Sequence, residues 1–138
     1  MPLKTNITIR FADIDQLKHV NNAHYLSYME QARIDYFKKV IGKEVKWSDK
    51  GIILAKAEIN YLIPLYLEDQ VVIETRVNRL GVKSFDIEYL IYKQKEQEDL
   101  ILAAKGLTVM VSFDFEKEQS INVPNHWVEK IKKFEGLA

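Results

Sequence analysis

The sequence has no cysteine. That excludes disulfides, thiolate nucleophiles and sulfur-ligated metal sites. Glycine and proline are also scarce, at five and three. The glycines stand singly, so no phosphate-cradling Walker or dinucleotide-binding loop is present. No GxSxG elbow occurs, which leaves a serine hydrolase triad without support. Neither charge sign is in excess: twenty basic residues balance twenty acidic ones. No basic field draws the chain to nucleic acid, and no acidic tail calls for a basic partner. Long apolar runs are missing too. Nothing approaches the ~18 residues of a membrane span, and MPLKTNITIRF has no signal-peptide core. The expectation is a soluble, cytoplasmic protein without a transmembrane segment.

What is present is an ordinary globular mixture, 47% hydrophobic and 29% charged over 138 residues. Residues 1–138 are expected to form a single domain. A near-neutral chain permits self-association. Residues 4 to 12 alternate as a strand, with Ile7, Ile9 and Phe11 on one face. A polar loop follows over 13 to 21. From about Asn22 to Ile41 the apolar spacing is helical: Leu26, Met29, Arg33, Phe37 and Ile41 form one stripe. Tyr25, Ala32, Tyr36 and Val40 form a neighbouring stripe. A helix apolar over most of its circumference is expected to be wrapped by other elements, and Gly42 stops it.

Four strands are expected next. Residues 52 to 63 place Ile53, Ala55, Ala57, Ile59, Tyr61 and Ile63 on one face. Residues 70 to 79 and 83 to 93 alternate around a Leu80-Gly81-Val82 turn. The charged stretch KQKEQED reads as a second hairpin turn. Residues 100 to 113 are apolar on both faces, as in a central strand, and Leu102, Ala104, Thr108 and Met110 are expected on its outer face. The end reads as a short helix with Trp127, Ile131 and Phe134 on one side. The fold class is therefore α+β: a five-stranded antiparallel sheet curled around one long central helix, with a short C-terminal helix.

The chemistry concentrates in RFADIDQLKHVNN, residues 10 to 22. Asp13 and Asp15 are expected to point to opposite sides, one inward and one serving the turn. Both can be turn aspartates bonding nearby amides. Alternatively Asp15, close to the positive end of the helix dipole, stays ionised and acts as base or nucleophile on an acyl carbonyl. His19 is either a surface residue or an imidazole orienting water. Asn21 or Asn22 caps the helix, and the amides just beyond are the donors an oxyanion needs. Tyr25, Tyr28 and Tyr36 read first as core, and Glu30 as surface. His24 sits on the first helical turn, and His126 carries no assigned role. No ligand spacing such as HExxH is present, so no metal or organic cofactor is expected.

These residues resemble the hotdog-fold acyl-CoA thioesterases of the 4-hydroxybenzoyl-CoA thioesterase-like branch. The resemblance is carried by RFADIDQLKHVNNAHYLSYMEQAR, by INYLIPLYLEDQVVIETRVNRLGVKSFDIEY and by AAKGLTVMVSFD. The HVNN loop is also similar to that of plant acyl-carrier-protein thioesterases. In such a family the second aspartate of the DxD pattern is the catalytic carboxylate, here Asp15. Glycine often precedes HVNN, where this chain has Lys18, and Leu17 replaces a residue that is polar in the plant enzymes. Both departures count against a plant-type Asn–His route and leave the aspartate route intact. The resemblance implies hydrolysis of an acyl-CoA, with His19 and Asn22 completing the catalytic set. It also implies subunits paired as a homodimer or homotetramer with sites at the interface, where Tyr61, Lys83 and Ser84 meet substrate or CoA; Asn21 and Tyr25 are further candidate substrate contacts at the helix start. A hotdog module that binds acyl-CoA or fatty acid without turning it over is the alternative. A dehydratase is a third reading, without its usual histidine-bearing helix.

Overall fold

The computed structural model describes residues 2–42, 50–96 and 99–137. Strand β1 (Leu3–Ile7) leads through a 3-10 turn (Phe11–Asp13) to helix α1 (His24–Tyr36). One π-helical turn (Phe37–Ile41) extends α1, and Gly42 ends it at φ 108°, a conformation that favours glycine. Strands β2 (Lys50–Tyr61), β3 (Gln70–Leu80), β4 (Ser84–Lys95) and β5 (Asp99–Asp114) follow. A two-residue strand β6 (Gln119–Ser120) and helix α2 (Asn125–Glu135) complete the chain. The five main strands pair antiparallel in the order β1-β3-β4-β5-β2, and β6 pairs with the end of β5. Both expected hairpins form; the tip of the KQKEQED turn, Gln97 and Glu98, lies outside the described residues.

Helix α1 packs its Tyr25, Tyr28, Met29, Ala32 and Tyr36 face on the sheet. Its opposite side, with Glu30, Gln31, Ile34 and Lys38, stays exposed, so the helix is cradled by the sheet rather than wrapped on all sides. Gly106 on β5 permits this close approach. A Cβ there would lie 2.7 Å from Met29 Cε and 2.8 Å from its sulfur, inside any normal contact distance. Phe37 and Trp127 stack at 5.9 Å, joining the end of the long helix to α2.

Three expectations need correction. Strand β1 stops at Ile7, because Arg10 to Ile14 turns on itself through Asp13 N–H to Arg10 O and Ile14 N–H to Phe11 O. Phe11 leaves the Ile7–Ile9 face and is 83% exposed. In β2 the register shifts between Leu54 and Lys56. The bulge keeps Ala57, Ile59 and Tyr61 together but puts Ile53 on the other side, because one extra residue inverts a period-two pattern. In β5 a shift opposite Ile91 and Tyr92 does the same. Leu102 keeps the outer side, whereas Ala104, Thr108 and Met110 turn inward and are buried. Lys105, Leu107, Val109 and Val111 take the outer face instead. Among the described residues no helix is long and apolar enough to cross a membrane.

Candidate active site

Residues 10 to 22 fold into a compact miniature hairpin. Ile14 and Val20 form an isolated antiparallel bridge. Asp15 N–H donates to His19 O at 3.0 Å, and Lys18 N–H donates to Asp15 O at 3.0 Å. The Asp15 side chain secures the turn by accepting the Leu17 amide at 2.9 Å, an aspartate-turn bond. Lys18 closes it at φ 68°, a left-handed conformation that costs a β-carbon residue energy and glycine none. The structure thus gives a reason for glycine at this position. Lys18→Gly is expected to raise stability by about 0.5–1 kcal/mol, read as a higher midpoint in denaturant. An unchanged or lower midpoint would show that Lys18 is not strained.

The two aspartates separate sharply. Asp13 is 1% exposed and fully engaged. It accepts Tyr28 OH at 2.7 Å and the Arg10 amide at 3.1 Å. Arg10 Nε and Nη2 also donate to it, at 3.2 and 2.9 Å. Burial pushes its carboxyl pKa up, but the bonds from Tyr28 and Arg10 outweigh it and hold the carboxyl below its ordinary value. His24 Nδ1 stands 3.5 Å from the same carboxylate. Burial and the bond to Asp13 raise the Tyr28 hydroxyl, so it stays protonated as the donor. Asp13 therefore faces inward as an anchor between loop and helix, a larger role than that of a turn residue. Asp15, by contrast, is half-buried, and among the described residues its side chain makes one bond to the backbone. His19 is its neighbour, with Nδ1 3.9 Å from Asp15 Oδ1 and 3.4 Å from Val20 O.

The helix start is built by Asn21. Its side chain accepts the Ala23 amide at 2.9 Å and its carbonyl accepts the His24 amide at 2.9 Å. Asn21 is therefore the effective cap, although regular α-helix begins at His24 rather than Asn22; such boundaries shift by a residue or two. Asn22 O accepts Tyr25 N–H at 3.3 Å and Tyr61 OH at 3.1 Å. The Asn22 amide has no acceptor among the described residues, and Asn22 is an exposed residue. That amide is an N–H of the positive helix end available to a ligand oxygen. Tyr25 lies edge-on to Tyr61 at 4.9 Å. Burial pushes the Tyr25 hydroxyl up to about 12, against a backbone hydrogen bond at Leu65 that lowers it. Val20 N–H donates to Leu65 O at 2.8 Å, tying the loop to the segment after β2.

Asn21, Asn22, Tyr25 and Tyr61 thus meet at one helix start, and Asp15 and His19 face each other in the hairpin that leads into it. Lys83 and Ser84 stand apart. Ser84 pairs with Val111 and Tyr61 with Ala104 on the same strand β5, so roughly 20 Å of strand separates them at ~3.3 Å per residue. Ser84 Oγ instead accepts Arg79 Nη2 at 3.2 Å, and Lys83 faces solvent. Sequence reasoning missed two further groups. One is the Asp13–Tyr28–Arg10 anchor, whose only signal was an i, i+3 basic–acidic pair. The other is Arg33, placed in an apolar stripe and now found buried among polar groups. Its Nη1 donates to Tyr89 OH at 3.1 Å, and Tyr89 OH pairs with Thr108 Oγ1 at 2.8 Å. Among the described residues no three His, Asp or Glu side chains gather as metal ligands would.

Known proteins are similar to this chain in sequence and fold. The long-chain acyl-CoA thioesterase FadM of Escherichia coli is 25% identical over 95% of this chain and 98% of its own. A Thermus thermophilus thioesterase solved with coenzyme A and zinc is 36% identical, with a TM-score of 0.80 over 96% of this chain and 93% of that one. A mutant 4-hydroxybenzoyl-CoA thioesterase, solved with 4-hydroxybenzoyl-CoA, shares the fold at 20% identity and TM-score 0.84 over 94% of this chain and 97% of that one. The model of the Thioesterase-like superfamily matches residues 9–131. With its hotdog sheet, its central helix and the loop at the head of that helix, the chain belongs to this superfamily and is a thioester hydrolase.

Proposed function

We propose that the protein hydrolyses acyl-CoA thioesters to free acid and CoA at the head of α1, with Asp15 as general base or nucleophile. The observation that carries this is the division of labour in the loop. Asp13 is buried and spent on Tyr28 and Arg10, which leaves Asp15 as the accessible carboxylate of the loop that leads into the unpartnered Asn22 amide. That amide polarises the thioester oxygen and holds the charge that develops there. Asp15 attacks the carbonyl carbon to give a mixed anhydride that water then hydrolyses to the free acid, or takes a proton from a water that attacks the carbonyl directly. CoA leaves as the thiolate in either case. His19 orients Asp15 or water, Asn21 holds the helix start, and exposed Tyr61, backed by the buried Tyr25 ring, walls the entry. Sequence kinship to the acyl-CoA thioesterase FadM favours CoA as the carrier.

A second copy of the chain completes the site. Strand β2 is a sheet edge, exposed over most of its twelve residues. An edge this long and unpaired invites another strand. Antiparallel pairing of two β2 edges about a two-fold axis sets the Tyr61 end of one against the Lys50 end of the other. Lys83 and Ser84 of the second copy then approach the helix start, which a single chain does not achieve.

Thiol release measured over short, long and aromatic acyl-CoAs tests the reading. Turnover of at least one class is expected, from a species with the mass of a dimer or tetramer. A panel that yields no free thiol at high enzyme concentration, or full activity from a monomer, would sink it.

A further inference from the structure

Helix α1 carries a second polar feature that the hydrolytic step does not use. A cavity of about 140 Å³ lies between α1 and the β2–β5 pair, lined by Leu26, Met29, Glu30, Arg33, Leu54 and Thr108 among others. Cavities near this size hold a benzene-sized body. Leu26 and Leu54, 42% and 47% exposed, form its open rim. The interior is lined by Arg33, only 9% exposed, and by Thr108.

A guanidinium this deep needs a counterion. Tyr89 does not supply one. Its phenol is held up by burial and stays neutral, and its oxygen is already shared with Thr108. Glu30 reaches Arg33 Nη2 only at 3.8 Å, from a side chain 65% exposed to water. Among the described residues Tyr89 OH is the fork's one hydrogen-bond acceptor, and no Arg33 nitrogen is sealed in the core without a partner, so the remaining donors open to the cavity. The cavity therefore holds a buried, under-neutralised cation with apolar walls leading to it.

Its position relates it to the reacting centre. Asn22, Leu26 and Arg33 fall on one stripe of the helix, at intervals of four and seven. Arg33 lies about 13 Å along the axis from His24, and its side chain leans back toward the helix start. A thioester held at the Asn22 amide would direct its acyl group past Leu26 and Met29 toward the guanidinium, a span of about 10 Å.

We propose that this cavity is the acyl-end subsite, and that Arg33 selects acyl-CoAs whose far end carries a carboxylate: short α,ω-dicarboxylic monothioesters. The subsite rests on the acyl-CoA reading given above. The substrate carboxylate displaces the loose Glu30 contact and takes a bidentate pair from the Arg33 fork. Thr108 and Tyr89 hold that fork in place.

Initial rates with glutaryl- and adipoyl-CoA are compared with those for pentanoyl- and hexanoyl-CoA, which match them in length. The native protein is expected to favour the carboxylated member of each pair by about ten- to a hundredfold in kcat/KM. Arg33→Met keeps an apolar stem in the cavity and removes the charge, so the preference should collapse or invert. Glu30→Gln removes only an exposed competitor and should widen the preference, mainly through a lower KM. That second variant keeps the test open even if Arg33→Met does not fold. Equal rates within each pair in the native protein, or a preference that survives Arg33→Met, would overturn the subsite while leaving acyl-CoA hydrolysis standing. Absence of thiol release from every acyl-CoA would overturn the hydrolytic reading, and the subsite with it.

Discussion

Asp15→Asn is expected to lower kcat for acyl-CoA hydrolysis by about 10²–10⁴-fold, the range that a positioned base supplies, with little change in stability. The asparagine side chain has the same shape and keeps an oxygen to accept the Leu17 amide, as Asp15 does at 2.9 Å. The turn therefore survives, while the negative charge and the proton-accepting power are gone. Asp15→Ala should lose the same activity and, with the turn bond, about 1 kcal/mol of stability. Thiol release and thermal melts on both variants make the check. Wild-type turnover from folded Asp15→Asn would remove Asp15 from the mechanism. The result also bears on His19. If Asp15 works through a water that His19 orients, His19→Gln should lower kcat more than it raises KM.

Asp13→Ala is expected to cost about 3 kcal/mol of stability, since it strips a buried acceptor from Tyr28 and the Arg10 amide at once. Tyr28 OH is then left buried without the partner it has at 2.7 Å. The loop loses its tie to α1, so activity falls as well, through misplacement rather than chemistry. The pH dependence gives an independent reading. Tyr28 and Arg10 hold the folded carboxyl below its ordinary value of 3.8. A group depressed in the folded state stabilises fully above its unfolded pKa. That contribution is lost as pH falls from there through the folded value. Native stability should thus decline below about pH 4, and Asp13→Asn should flatten that acid limb. Denaturant midpoints between neutral and acid pH measure it. A variant with the native acid slope would show that Asp13 is not a source of this stability.

The two variants separate chemistry from scaffold within one short loop, a distinction that the sequence left open. A fully extended DxD would put both side chains on one face; the 3-10 turn at Phe11–Asp13 breaks that alternation, so the split into one inward and one outward carboxylate was not legible from spacing. Which of them took the buried position depended on Tyr28, fifteen residues on, whose hydroxyl reaches Asp13. The structure also supplies the reason for glycine before HVNN, in the φ of 68° at Lys18.

By itself, the sequence determined the order and type of the elements, the single long helix, the antiparallel pairing and the thioesterase kinship. Those follow from local periodicity, from turn residues and from a contiguous motif, all of which act over a few residues. Tertiary structure alone decided the phase of the strands and the fate of the polar groups. The bulges at Ala55 and Ala103 reverse which side chains face the helix, and no local signal marks a single extra residue whose benefit is paid across neighbouring strands. Arg33 read as part of an apolar stripe because its spacing is right; its burial beside Tyr89 and Thr108 exists only once β4 and β5 lie under the helix. Lys83 and Ser84 stand far from the helix start within one chain for the same reason. Proximity across a sheet is set by strand order and register, which a linear pattern does not contain.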